Sequence, residues 1–348
     1  MKCNVAVTGL NATDNPAPGV AVIRSLREEP EWSGRIVGLA YDAYDPGIFD
    51  SELVDAVYLL PYPKAGRQVW FERMMEIQAK ESIDVLIPNL DSELANVIDL
   101  ETKLREIGIR TFLPSAAQLK RRTKTNLADL ATGMALGVPE SRTVASVGEA
   151  ERAAGQLEFP LMVKGLFYEA YLAANQSHMR SAMHSISSRW GFPLILQKYV
   201  PGEEYNLAGL GDGRGGLVSA VCMKKVFTTD KGKGWAGVSI VNEELTNAAE
   251  RFVSLLEWKG GFELEMLMGD DGTLYLIEIN PRFPAWIYLG KACGINLPYA
   301  YCQLALGTSP AIARNNVAGT MFVHYTTDLV AHVHQLDMLL TKKELRYR

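Results

Sequence analysis

The chain has 348 residues, 48% hydrophobic and 22% charged, with a formal net charge of −5. That length supports two or three subdomains with sizeable cores, and the lack of a basic excess argues against a nucleic-acid surface. No apolar run reaches the length of a membrane span, MKCNVAVTG lacks a signal-peptide layout, and Cys3, Cys222, Cys293 and Cys302 show no CxxC or zinc-type spacing, so reduced thiols in a cytoplasmic protein are expected.

Asn4 to Thr8 reads as a short apolar strand, followed by a polar glycine-containing loop over 9–19 and a helix from about Val20 to Glu28. Strand, loop, helix is how a Rossmann-like unit opens, although this loop does not match GxGxxG. Further strands are expected at 35–41, 56–60, 85–88 and 111–113, with helices at 71–81 and 92–107. This βαβ alternation predicts a small parallel sheet across residues 1–115. Strand ends in such sheets face a ligand crevice. Ser92 there is expected to cap the next helix with Glu93 in its first turn; the functional alternative is that Asn89, Asp91 and Glu93 hold an amino group of a substrate.

A basic cluster, 120–124, precedes a helix expected at 127–136, which stops at Gly137 before Val138-Pro139. Phe159 to Gly165 is an apolar stretch carrying Lys164 near its end, where an ammonium needs a partner because burying it unpaired is costly. After a helix at 179–189 comes Pro193 to Tyr205, with Gln197, Lys198, Val200 and Glu204. The strand at 217–226 carries Lys224 and Lys225 and leads into a Gly- and Lys-rich stretch, 227–238, that reads as a mobile loop. A helix at 248–256 precedes the most informative segment, GFELEMLMGDDGTLYLIEINPR, residues 261–282. It predicts two strands joined at Gly269-Asp270-Asp271-Gly272. Residues two apart share a face of a strand, so cross-strand pairing can bring Glu265 to Glu278 with Asn280 beside them. Two carboxylates and an amide oxygen form a hard oxygen cluster suited to Mg²⁺, and Arg282 can reach a phosphoryl oxygen on the same ion. The alternative is a solvated hairpin face. Helices are expected at 287–292 and 297–306, a strand at 320–325, and then a polar tail in which His332 and His334 are read as solvated.

Taken in order, the lysines, the 193–205 segment and Glu-Leu-Glu…Ile-Glu-Ile-Asn-Pro-Arg resemble the ATP-grasp superfamily, which includes D-alanine–D-alanine ligase, biotin carboxylase and the carbamoyl phosphate synthetase large subunit. The resemblance covers about residues 1–310. It implies a mixed α/β and α+β chain: an N-terminal Rossmann-like parallel-sheet domain (1–115), a small ATP-grasp subdomain with a linker helix (116–200), a C-terminal ATP-grasp subdomain with the metal site (201–315), and a C-terminal strand and tail (316–348). It also implies ATP and one or two Mg²⁺ ions, with Mn²⁺ as a substitute. Lys124 and Lys164 would contact the phosphates, Gln197, Lys198 and Val200 the adenine, and Glu204 the ribose. The 227–238 stretch would be a lid whose Lys231 or Lys233 offers charge to the γ-phosphate, with Lys224 or Lys225 reaching in from the strand before it; Glu265, Glu278 and Asn280 would hold the metal, and Lys164 and Arg282 would be catalytic. The implied activity is carboxylate–amine ligation through an acyl phosphate, releasing ADP and phosphate. Carboxylation, carbamoyl phosphate formation, or nucleotide binding without turnover are the alternatives. Small-molecule or peptide carboxylates and amines are the expected partners, without nucleic acid or membrane, and a homodimer is left open. Three departures stand out: the glycine-rich loop of many relatives is replaced by 166–174, the small-residue loop after Arg282 by Phe283-Pro284-Ala285-Trp286, and a basic residue found near position 263 in several ligases by Glu263.

Overall fold

The computed structural model describes every residue except 124–125, 167–168, 312–316 and 348. The first unit is a parallel sheet of β1 (Val5–Val7), β2 (Ile36–Ala40), β3 (Ala56–Leu59) and β4 (Val85–Ile87). Almost every strand position is buried, as expected where helices cover both faces. Helix α1 (Pro18–Arg27) packs Val22, Ile23 and Leu26 into one core with Val5 and Val7, while α2 (Arg67–Glu81) packs Trp70, Met74 and Ile77 against Ala6, Val37 and Leu39 on the other side. The helix expected over 92–107 is two, α3 (Asp91–Asp99) and α4 (Glu101–Glu106), divided at Leu100. The strand expected at 111–113 reduces to one bridge between Val85 and Arg110. Ser92 is not the cap. Helix α3 starts one residue earlier, and the Glu93 carboxylate folds back to accept the Asn89 and Leu90 N–H groups at 3.0 and 3.1 Å.

After α5 (Ala116–Arg121) and α6 (Leu127–Gly133), the chain forms β5 (Ser141–Val144), α7 (Val147–Leu157), β6 (Leu161–Gly165), β7 (Ala170–Ala173), α8 (Gln176–Trp190) and β8 (Leu194–Lys198). The strands make an antiparallel sheet in the order β5-β8-β6-β7. Leu161, Val163, Leu194 and Leu196 face α7 and α8, so alternation places Met162, Lys164, Ile195 and Gln197 on the opposite face. Strands β5 and β7 and helix α7 escaped the sequence reading. Three of four β5 residues and three of four β7 residues are not buried, so neither segment carries an apolar signature.

The third unit is a six-stranded sheet, built from β9 (Gly202–Asp212), β10 (Leu217–Thr228), β11 (Gly234–Ile240), β12 (Lys259–Gly269), β13 (Leu274–Asn280) and β14 (Met321–Val323) in the order β13-β12-β9-β10-β11-β14. Helix α9 (Glu243–Leu256) covers one face, where the Phe252 ring lies 5.1 Å from Trp258 and 4.9 Å from Phe262. The other face joins a core with α1, α10 (Tyr288–Ala292) and α11 (Leu297–Ala305). Strands β10 and β11 run further than expected, leaving only residues 229–233 as the loop between them.

The 316–348 segment is shared between two sheets. Its first strand, β14, extends the six-stranded sheet; after α12 (Val333–Lys342), β15 (Glu344–Arg346) pairs antiparallel with β3 at the edge of the parallel sheet. His332 caps α12 by accepting the His334 N–H at Nδ1, 3.1 Å away. No described helix is long and apolar enough to cross a membrane.

Candidate nucleotide and metal site

The β12–β13 register places Glu265 directly opposite Glu278, and Glu263 opposite Asn280. On the other flank of β12, Asn206 of β9 is the partner of Glu265. Leu264 and Phe262 point into the α9 core, so alternation turns Glu204, Asn206, Glu263, Glu265, Glu278 and Asn280 to the opposite face. Lys225, on β10, joins them; Lys224, one residue earlier, points the other way and pairs with Glu203 at 2.6 Å. Of the two lysines expected near the γ-phosphate, the sheet brings only Lys225 to the carboxylates.

Lys225 Nζ is 2.8 Å from Glu204 and 3.2 Å from Glu265, with its side chain only 7% exposed. Burial works against its ammonium, but Glu265 and Glu204 outweigh it and hold the pKa above the ordinary lysine value. Burial likewise opposes ionisation of Glu265, yet Lys225 and a 3.0 Å bond from Asn280 Nδ2 keep its pKa below the usual range. Glu263 behaves oppositely: burial, then the neighbouring Glu265 charge, push its pKa up. It lies on the site face. Its oxygens accept from Asn206 Nδ2 at 2.6 Å, Trp286 Nε1 at 2.7 Å and Asn280 Nδ2 at 2.9 Å.

Arg282 donates from Nε to Asp91 at 2.8 Å, and Arg122 reaches the other oxygen of Asp91 at 3.3 Å while also bonding the Ile279 carbonyl. Burial disfavours the Arg282 charge, but Asp91 and Glu263 more than offset it. Asp91, at the first turn of α3, thus ties the parallel sheet to the end of β13. Its neighbours are otherwise engaged. Asn89 is fully buried and donates to the Thr8 and Ile87 carbonyls, and Glu93, also fully buried, bonds Thr8 and the Tyr41 hydroxyl. These bonds tie both into a buried network, although Asn89 Oδ1 has no partner among the described residues, and Asp91 is the one of the three that bonds Arg282. The 229–233 loop docks on the N-terminal unit through a 2.6 Å bond from Thr229 Oγ1 to Asp14. Lys233 sits there with its pKa lowered by burial and by the positive charge of Lys231 and Arg282.

On the small sheet, Lys164 and the buried Gln197 share the face away from α7 and α8; Gln197 Nε2 donates to Ser141 Oγ at 3.0 Å, leaving its oxygen as an acceptor. The Lys198 side chain is exposed, and its N–H is already bonded to the Glu140 carbonyl. Val200 is half-buried beside the β12–β13 turn at Gly269. Glu204 lines a groove of about 360 Å³ with Glu203, Lys225 and Phe227. Lys124 lies outside the described residues.

Among the described residues no three His, Cys, Asp or Glu side chains form a ready metal cage. The donor set is instead the opposed pair Glu265 and Glu278 with Asn280, whose bonds use only Nδ2 and leave Oδ1 as an acceptor. Hard oxygens and an excess of carboxylates over Lys225 and Arg282 fit a divalent cation of the Mg²⁺ kind. Sequence reasoning missed Asn206, Trp286 and Asp14. Asn206 was within reach, because it stands two residues beyond Glu204 on one strand. The other two meet the site only through tertiary contacts.

Residues 192–329 match a family described as ATP-grasp in the biosynthetic pathway with Ter operon. The carbamoyl phosphate synthase large chain of Rubrobacter xylanophilus is 25% identical over 327 residues, 86% of this chain and 30% of that protein. The chain therefore spans under a third of that curated relative. The fold resembles the biotin carboxylase domain of Hydrogenobacter thermophilus 2-oxoglutarate carboxylase, solved with MgADP and bicarbonate (TM-score 0.67, 15% identity, 91% of this chain and 72% of the other). It also resembles the L-amino acid ligase of Bacillus licheniformis (TM-score 0.64, 15% identity, 87% and 74%). Residues 192–329 thus carry the ATP-grasp family match, and the chain shares the fold of these two structures.

Proposed function

We propose that the protein is an ATP-dependent carboxylate–amine ligase that activates a carboxylate as an acyl phosphate and releases ADP and phosphate. The observation that carries this reading is the single sheet face on which Glu204, Lys225, Glu265, Glu278 and Asn280 converge, with Arg282 at its end. In this reading Glu265, Glu278 and Asn280 hold the cation, Glu204 takes the ribose, and Gln197, Lys198 and Val200 border the adenine. Bound Mg-ATP supplies the transferable phosphoryl group and the cation that neutralises its oxygens.

The chain's own residues do the rest by position and charge. Lys164 faces the phosphates from the small sheet. Lys225, which bridges Glu204 and Glu265 at 2.8 and 3.2 Å, gives up its hold on Glu204 when the ribose arrives and turns its ammonium to the phosphate chain. Arg282, aimed by Asp91 and kept charged, meets the oxygen on which negative charge develops. The 229–233 loop, with Lys233, excludes water when seated against Asp14. The likeness to a carbamoyl phosphate synthase over 86% of the chain keeps carbamoyl phosphate-type chemistry as the second reading.

The test is nucleotide turnover by wild type and Glu278→Gln, with candidate acids and amines supplied in pools and both ADP and AMP scored. ADP release that needs one pool and disappears in the variant is the expected result. AMP as product would overturn the acyl-phosphate route, and bicarbonate-dependent ADP release without an added acid would favour the second reading.

A further inference from the structure

On the site face, the Asn206 side-chain oxygen has no partner among the described residues. Asn206 is 3% exposed, and its Oδ1 is buried without any hydrogen bond. Buried side-chain oxygens are nearly always satisfied, so an exception needs a cause. Asn206 sits on β9 directly between Glu265 of β12 and Met223 of β10. Its Nδ2 donates to Glu263 Oε1 at 2.6 Å.

Glu263 explains the direction of that amide. As a carboxylate it can only accept, so each asparagine beside it must present nitrogen rather than oxygen. Asn206 and Asn280 both do so, at 2.6 and 2.9 Å, and Trp286 Nε1 fixes Glu263 from the segment beyond β13 at 2.7 Å. With both nitrogens spent on Glu263, both Oδ1 atoms are left as acceptors next to Glu265. One belongs to the cation set already described; the other is unassigned.

We propose that Asn206 is a further oxygen ligand of the cation site, directly or through a bound water, and that Glu263 is the positioning residue that sets the amides of Asn206 and Asn280 in their ligating orientation. The inference rests on the cation reading above. It accounts for an acidic residue at position 263, where a carboxylate is needed as a double acceptor. Glu263→Gln would offer an NH₂ group to one of its donors, so one asparagine would have to turn its oxygen inward and its nitrogen toward the cation.

The experiment is Mn²⁺ binding, with and without ADP, followed by electron paramagnetic resonance of free and bound ion. Wild type, Asn206→Ala, Asn206→Asp and Glu263→Gln are compared. Asn206→Ala and Glu263→Gln should each weaken Mn²⁺ binding by about tenfold or more and alter the bound-ion spectrum. Asn206→Asp keeps the oxygen while losing the donor to Glu263, so it should bind Mn²⁺ more tightly than Asn206→Ala. That ordering separates a ligand from a purely structural amide, for which Asn206→Asp would be the worse of the two. Wild-type affinity and spectrum in Asn206→Ala, or the reversed ordering, would overturn this inference alone. Failure of the wild type to bind Mn²⁺ under either condition would overturn the cation reading and this inference with it.

Discussion

Replacing Lys225 by methionine removes the one ammonium between Glu204 and Glu265. Breaking a buried ion pair from one side costs about 3–5 kcal/mol, because the remaining charge is left uncompensated. Here Glu204 keeps 47% of its side-chain exposure and Glu265 27%, so water screens part of the loss, and about 2 kcal/mol is expected at pH 7. For a chain of 348 residues unfolding together, that corresponds to a fall of about 3 °C in Tm. The pH dependence has a definite sign. Burial raises the pKa of Glu265 but Lys225 brings it below the ordinary value, and a carboxylate so depressed contributes stability that is present above its unfolded pKa and lost as pH falls through the folded one. The gap between wild type and Lys225→Met should therefore be full at pH 7 and close as the pH drops below the unfolded glutamate value of about 4.3. Thermal melts followed by circular dichroism over a descending pH series measure it. Added Mg²⁺ should raise the variant's Tm more than the wild type's, since the ion replaces the missing charge. A variant as stable as wild type at pH 7, or a gap that persists in acid, would refute the reasoning.

Two further predictions concern the scaffold. Gly19→Ala would place a Cβ 2.2 Å from the Thr8 carbonyl oxygen and 2.5 Å from that of Gly9; backbone cannot yield as a side-chain end can, so a loss of about 1–3 kcal/mol is expected in urea unfolding. Deleting residues 343–348 removes β15 from the edge of β3 and with it the buried Leu345. The loss of that side chain alone should cost about 1.5–3 kcal/mol, and amide exchange should accelerate in β3 while β12 and β13 keep their protection.

Much of the site was legible before any fold was known, because it lies on strands. The two-residue period of a strand fixes which side chains share a face, but the register set at the Gly269–Gly272 turn would oppose Glu265 to Ile277, and it is a bulge between Glu265 and Met266 that brings Glu265 to Glu278. The parallel opening unit and the apolar segment bearing Lys164 were likewise local patterns. What the sequence could not determine was which long-range partner each polar group would find. Asn89 and Glu93 have the composition of a binding loop, yet tertiary packing brings Thr8 and Tyr41 onto them and buries them in a network. Lys224 and Lys225 are adjacent and chemically equal; only the pleat of β10 sends one to Glu265 and the other to Glu203. Glu263 resembled an anomaly until Asn280, Trp286 and the more distant Asn206 were seen to converge on it. Strand β15 gives the same lesson, since a three-residue segment cannot specify by itself that its partner lies nearly three hundred residues earlier. Periodicity is a local property of the chain, whereas the partners of buried polar groups are chosen by how whole sheets pack.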